Sequence, residues 1–228
     1  MTDHDLRAEI LETARAMNAH GINQGTSGNI SARIGDDFLI TPSGIDYDAC
    51  TPDDVVRMSM DGVPEGPQKL PRKPSSEWRM HRDLLTIRPN AGAVLHAHPP
   101  FATALACLRR PIPAFHSMVA IAGGKDIRCS GYANFGTEDL SRTAIEAMDG
   151  RTACLLANHG LLCVAGSLSG VLKRAIEVET LARQYCIALQ VGEPVLLGDA
   201  EMDDVLDKFS TYLKGLDDGA DDTADEGG

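Results

Sequence analysis

The pattern His96-Ala97-His98 closes the apolar run Ala93-Val94-Leu95. Side chains alternate between faces along a strand, so on an extended segment the two imidazoles point the same way. Two imidazoles side by side on one face suit one divalent metal. Two further candidate ligands flank them in the chain. One is Glu77, in Pro74-Ser75-Ser76-Glu77-Trp78; the other is His159, in Asn158-His159-Gly160, just after the run Ala153-Cys154-Leu155-Leu156. Three histidines and a carboxylate are the donor set of a catalytic zinc site with a labile fourth position. The chemistry expected of such a set is metal-assisted work on a small, oxygen-rich substrate.

Other residues carry weaker signals. His4, His20 and His116 stand alone and read as ordinary surface or core residues. Glu77 and His81, spaced i, i+4, would share a helix face. Taken by itself, that spacing is either a second metal-binding pair or a solvent-facing one. Gly21, Gly25 and Gly28 do not match the G-x-G-x-x-G dinucleotide fingerprint, and Gly123-Gly124-Lys125-Asp126 lacks the spacing of a Walker loop. Thr26, Ser27, Asn29, Ser43, Gly44, Ser75 and Ser76 nevertheless supply many hydroxyl, amide and backbone N–H donors. Ser75 and Ser76 sit where a helix N-terminus would turn free N–H groups toward an anion. Such loops can hold a phosphate without lysine or arginine. By spacing alone they read first as plain turns.

Elements that could position these groups follow from periodicity. A helix is expected over 5–19, with Leu6, Ile10, Ala14 and Met17 at steps of three and four and Gly21 beyond its end. Short strands are expected at 30–33, 38–41 and 55–58, with turns at Gly35-Asp36 and Pro42-Ser43-Gly44. A Pro- and Gly-rich connection runs from Asp61 to Pro74. A helix capped by Ser75 or Ser76 should reach about residue 86. The spacing predicts a strand over 94–98, a helix over 99–108, a helix over 137–148 capped by Thr137, strands at 153–157 and 161–164, a long helix over 168–190 and a last short one over 204–213. The segment 114–124 is apolar and reads as neither. Short strands interleaved with helices imply a layered sheet covered by helices.

Composition narrows the function. The 228 residues fit one large domain, taken here as 1–216. The formal charge of −12 argues against a nucleic-acid partner, which needs a basic footprint. Much of that charge lies in 217–228, where Asp217, Asp218, Asp221, Asp222, Asp225 and Glu226 mark an expected disordered acidic tail. The six cysteines show no C-x-x-C spacing and read as reduced, structural thiols of a cytoplasmic protein. No signal-peptide pattern or long apolar run points to export or to a membrane.

Six segments occur together in order: Asn23-Gln24-Gly25-Thr26-Ser27-Gly28-Asn29, Ile40-Thr41-Pro42-Ser43-Gly44, Pro74-Ser75-Ser76-Glu77-Trp78, His96-Ala97-His98, Ala122-Gly123-Gly124 and Asn158-His159-Gly160-Leu161. Their order resembles the class II aldolase/adducin family over residues 5–213, and within it most closely the aldolases that act on L-fuculose 1-phosphate. That resemblance implies a three-layer α/β/α sandwich around a mixed, mostly antiparallel sheet. It implies a homotetramer with active sites at subunit interfaces. Zn²⁺, or another divalent ion such as Mn²⁺ or Co²⁺, would be held by His96, His98 and His159. Glu77 would be the catalytic acid/base, and would ligate the metal before substrate arrives. Thr26, Asn29, Ser43, Gly44, Ser75 and Ser76 would form the phosphate pocket, and Tyr212 would be a proton donor given by a neighbouring subunit.

The implied reaction is cleavage of a ketose 1-phosphate to dihydroxyacetone phosphate and an aldehyde. Metal-based Lewis-acid catalysis needs no Schiff-base lysine, and none of the lysines lies in these motifs. The sequence departs from the pattern at Pro113-Ala114-Phe115-His116-Ser117, where Ser117 replaces a second active-site tyrosine. This points to 5-deoxyribulose 1-phosphate or 5-(methylthio)ribulose 1-phosphate beside L-fuculose 1-phosphate. Pentulose-phosphate 4-epimerases, methylthioribulose-1-phosphate dehydratases and sugar-acid phosphate decarboxylases share the fold and metal. The epimerases carry Asp where Glu77 stands. A non-catalytic adducin-like interaction module would lack the ligand set present here.

Overall fold

The structure is a computed structural model that describes residues 2–65 and 72–217, the stretch 210–217 as backbone only. Six strands form one sheet in the order β3-β2-β1-β4-β6-β5. They are β1 (Asn29–Ile34), β2 (Asp37–Ile40), β3 (Val56–Ser59), β4 (Ala93–Ala97), β5 (Ala153–Leu156) and β6 (Gly160–Ala165). Every pairing among these strands is antiparallel. Among the described residues, the parallel component of the expected mixed sheet reduces to a single bridge between Cys129 and Leu155.

Alternation along the strands makes two buried faces. Phe38, Ile40, Val94, Cys154 and Leu162 face Met80, Leu84 and Leu85 of α2 (Trp78–Ile87) and Leu140, Ala144 and Met148 in and just after α4 (Glu138–Ala147). Their neighbours in sequence, including Leu39, Leu95, Leu161 and Cys163, face the other way. They meet Ile10, Leu11, Ala14 and Met17 of α1 (Asp3–Ala19), Ala102 and Leu105 of α3 (Pro100–Cys107), and Val171, Ala175, Val178 and Leu181 of α5 (Leu168–Val191). The result is the three-layer α/β/α sandwich. His96 has the parity of Val94, so its side chain goes to the α2 side of the sheet.

Local chemistry explains the boundaries. Thr2 and Asp5 form a reciprocal capping box at α1, and Thr137 and Ser167 accept N–H bonds at the starts of α4 and α5. The helix expected to open at Ser75 or Ser76 instead opens at Trp78. The preceding residues are held in a turn: the Trp78 N–H donates to the Ser75 carbonyl, and the Glu77 N–H to the Ser75 hydroxyl. That turn is tied to the 41–44 loop, because the Ser75 N–H donates to Thr41 O (3.1 Å) and the Ser43 N–H to Lys73 O (2.9 Å).

Two further departures have plain causes. The segment 114–124 contains a 3-10 turn, Ser117–Ala122, with Val119 to Ala122 buried. The last helix, α6 (Asp199–Asp217), opens earlier than the expected 204. Glu201 accepts the Gly198 N–H at 2.7 Å and Met202 is fully buried, so the anchoring apolar residue lies one turn earlier than the pattern suggested. The acidic stretch read as a tail lies outside the described residues, apart from Asp217 at the end of α6. Among the described residues no helix is long and apolar enough to cross a membrane.

Candidate active site

The central strands place the first histidine. Across the sheet, His96 on β4 is paired with Asn29 on β1 and with Leu162 on β6. Its ring is fully buried, and its Nδ1 lies 2.9 Å from the Leu161 carbonyl oxygen. A carbonyl only accepts, so Nδ1 carries the proton and Nε2 keeps its lone pair. Burial, reinforced by the adjacent His98, pushes the His96 pKa down to about 3. The neutral imidazole is the form that binds a metal. His98, just past the end of β4, brings its Nε2 to 2.9 Å from His96 Nε2.

His159 arrives from the turn between β5 and β6. Asn158 before it takes a left-handed backbone (φ 54°), which asparagine tolerates better than most residues. The Asn158 N–H donates to Ala106 O, and its side chain joins Cys107 O and Arg109 Nε, so the end of α3 pins the turn. Gly160 follows because a Cβ there would run into the Ala97 carbonyl and come within 2.7 Å of His98 Cδ2. The expected Asn-His-Gly motif is thus a packing requirement of the site. Burial, followed by the neighbouring histidines, lowers the His159 pKa to about 4.

Glu77 caps α2 against this group. It is 4% exposed, and its Oε2 accepts from Asn29 Nδ2 at 2.9 Å. Oε2 lies 3.3 Å from His96 Nε2, and Oε1 lies 3.4 Å from His159 Nε2. Glu77 Oε1 has no hydrogen-bond partner. Ligand atoms of His96, His98 and His159 all lie within 4.8 Å of one another. Two imidazole nitrogens at 2.0–2.1 Å from a tetrahedral ion stand roughly 3.3 Å apart, so small adjustments bring the set onto one ion. An orphaned carboxylate oxygen beside converging lone pairs fits a cation, and the trio forms a metal site.

A cavity of about 320 Å³ opens beside it. Thr26, Asn29, Ser43, Gly44, Ser75 and Ser76 all line this cavity, together with Glu77, His98 and His159. The three loops read from sequence therefore converge on one space, with His96 buried behind it. Among the described residues no lysine or arginine lines it. Tyr132, Asn134 and Phe135 also line it and were missed from sequence. The available signal was a Gly131–Gly136 loop carrying two aromatics just ahead of the Thr137 cap.

Three expectations need correction or limits. His81 is neither solvent-facing nor part of the histidine cluster: it is fully buried and bonded to Ser31 and Asn29. Ser117 does not line the cavity of its own chain. The Tyr212 side chain lies outside the described residues, and only its backbone in α6 is described.

Comparison with known proteins agrees with this geometry. Residues 8–186 match the family model for the Class II Aldolase and Adducin N-terminal domain. The chain is 53% identical over 207 residues to a 5-methylthioribulose-1-phosphate/5-deoxyribulose-1-phosphate aldolase of Rhodospirillum rubrum, covering 91% of this chain and 92% of that one. It is 44% identical over 213 residues to an L-fuculose phosphate aldolase of Escherichia coli, covering 93% and 97%. A solved L-fuculose 1-phosphate aldolase superposes with a TM-score of 0.86 at 41% identity, covering 90% of this chain and 96% of the other. The chain belongs to the class II aldolase and adducin family. Within that family it is a metal-dependent aldolase, a lyase of carbohydrate metabolism whose substrate is a phosphorylated sugar.

His96→Ala is expected to lose both the bound ion and activity, as read by metal analysis of the purified protein. Gly160→Ala should also lower metal content, and stability with it, because the added Cβ meets the Ala97 carbonyl of β4 as well as the His98 ring. Full metal occupancy in His96→Ala would remove that residue from the ligand set.

Proposed function

We propose that the enzyme cleaves 5-deoxyribulose 1-phosphate or 5-(methylthio)ribulose 1-phosphate to dihydroxyacetone phosphate and an aldehyde, using Zn²⁺ in a cytoplasmic homotetramer. The observation that carries the substrate choice is the make-up of the cavity. It joins a set of neutral donors to two partly exposed aromatics, Tyr132 and Phe135. The donors suit a phosphate, and the aromatic rings suit an apolar methyl or methylthio end. The likeness to the Rhodospirillum rubrum aldolase supports the same reading. L-fuculose 1-phosphate is the second reading, favoured by the Escherichia coli relative.

Three imidazole nitrogens and a site with a labile position favour zinc, although Mn²⁺ or Co²⁺ could take the same donors. His96, His98 and His159 would hold the ion, with Glu77 beside it. The metal supplies Lewis-acid polarisation of the ketose carbonyl. The chain's own groups must do the rest. Thr26, Asn29, Ser43, Gly44, Ser75 and Ser76 bind the phosphate and fix the ketose in the cavity. Breaking the C3–C4 bond requires a proton to leave the C4 hydroxyl and a proton to reach C3. Glu77, with Oε1 unengaged, handles the proton at C3. Tyr212 of a neighbouring subunit exchanges a proton with the aldehyde-side oxygen, receiving it in cleavage and donating it in the reverse, condensing direction.

The tetramer reading has a structural rationale. The helix that carries Tyr212 packs against the 3-10 turn that begins at Ser117, and among the residues whose side chains are described neither Ser117 nor any of 199–209 lines the chain's own cavity. A second subunit would bring this face to the site.

Glu77→Gln should lower turnover by roughly 10²–10⁴-fold, the usual range for a lost acid/base group, while metal is largely retained. Mixing Glu77→Gln with Tyr212→Phe and allowing subunits to exchange should restore part of the activity, because some interfaces then hold both wild-type groups. No recovery in demonstrably mixed oligomers would place the two residues in one chain's site or remove Tyr212 from the reaction. Substrate choice is read from kcat/KM for the three ketose 1-phosphates on one preparation, with dihydroxyacetone phosphate release as the signal. The 5-deoxy or 5-methylthio compound should be cleaved at least as well as fuculose 1-phosphate. A tenfold or greater preference for the latter, about 1.4 kcal/mol in transition-state binding, would restore fuculose 1-phosphate as the substrate.

A further inference from the structure

His81 is fully buried and takes no part in the scheme above. It projects from α2 onto β1 and bridges two side chains there. Its Nε2 lies 2.6 Å from Asn29 Oδ1, and its Nδ1 lies 2.8 Å from Ser31 Oγ. Asn29 in turn donates from Nδ2 to Glu77 Oε2 at 2.9 Å. These contacts fix one another's direction. An amide oxygen only accepts, so Nε2 carries the imidazole proton. Burial keeps the ring neutral, with its pKa pushed down to about 3, so it has one N–H to give. Nδ1 must then accept, and the Ser31 hydroxyl must donate to it. Turning the Asn29 amide over would set Oδ1 against the Glu77 carboxylate, two acceptors facing each other with no proton between them.

The hydrogen bonds therefore run in a single sense from Ser31 to His81, from His81 to Asn29, and from Asn29 to Glu77. We propose that His81 is a positioning residue. It orients the Asn29 amide so that Glu77 is held by Oε2 and leaves Oε1 free for proton transfer. Without the His81 donor, Asn29 Oδ1 would be buried and unpaired, and the amide could rotate and release the carboxylate. The inference rests on Glu77 being the proton-transfer group.

His81→Phe keeps a ring of similar shape and removes the donor. It should lower kcat by roughly 10–100-fold, as loss of a supporting hydrogen bond around a metal site does, with unchanged metal content and a smaller change in KM. His81→Gln, whose amide nitrogen reaches about as far as the imidazole Nε2, should recover most of kcat. In an Asn29→Ala background the relay is already cut, so His81→Phe should add no further loss. A purely structural His81 would instead show its full loss in that background, and that result would overturn the proposal. Long-range proton–nitrogen NMR on the metal-free wild-type protein gives a readout that needs neither folding of a variant nor activity. It should find the Nε2–H form of His81, and an Nδ1–H form would overturn the relay. Normal turnover in Glu77→Gln would overturn the reading of Glu77, and this inference with it, while leaving the tautomer result standing, so the two failures look different.

Discussion

A carboxylate with 4% exposure and one oxygen lacking a protein partner must be balanced by positive charge nearby. Burying an uncompensated carboxylate costs several kcal/mol, and hydrogen bonds alone offset that cost only in part. The imidazoles around Glu77 do not supply the charge, because burial holds His96 and His159 neutral, with pKa values of about 3 and about 4. They supply lone pairs. A cation bound by those lone pairs would balance the carboxylate where α2 places it. The surrounding architecture can be understood as the means of bringing four donors from three parts of the chain around one point.

The histidine-bearing parts are anchored by the sheet and by one helix. The β1–β4–β6 ladder sets Asn29 and Leu162 opposite His96, so the ring cannot shift without a change of register. A one-residue slip would move every side chain of β4 to the other face. The chain leaves His98 through Pro99 into α3, whose first N–H groups, at Phe101 and Ala102, donate to the Glu179 carboxylate at 2.9 and 2.8 Å. Burial raises the Glu179 pKa, and these two bonds work against that rise. Glu179 thereby ties the exit from the His-x-His segment to α5. The other end of α3 clamps the turn that presents His159. One short helix therefore sets the spacing between two of the three histidines.

The parts of the site that were legible in the sequence are those whose chemistry is local. His96 and His98 announce themselves because a strand's period of two forces them onto one face. The donor-rich loops could be named, but only the fold shows that Thr26, Ser43 and Ser75 share one cavity. Nothing in their spacing encodes the two backbone bonds that tie the 41–44 loop to the 73–75 turn. The place of His81 is not legible in the sequence, for a physical reason. A helix face at i, i+4 says which residues are neighbours, not whether that face meets solvent or a sheet. Here it meets β1, where Asn29 and Ser31 stand two residues apart on the same side. Tyr132 and Phe135 escaped notice because an exposed aromatic in a loop has no period at all.

The absence of lysine and arginine from the lining of this cavity has a consequence for substrate binding. The chain carries a formal charge of −12, so its long-range field repels an anionic sugar phosphate. Salt weakens that repulsion beyond a Debye length of about 8 Å at physiological ionic strength, but attraction must then arise inside the cavity. Hydroxyl, amide and backbone N–H dipoles in the proposed phosphate cradle act over a few ångströms and have no such reach. A metal ion held by the three histidines would supply the positive charge that the described lining of the cavity lacks, and Glu77 would offset part of it. A cradle of arginines would add charges that compete with the ion for the Glu77 carboxylate and would hold a phosphorylated product tightly. In the proposed cradle, neutral donors would grip the phosphate by geometry and leave the electrostatics of the reacting carbons to the metal and to one carboxylate.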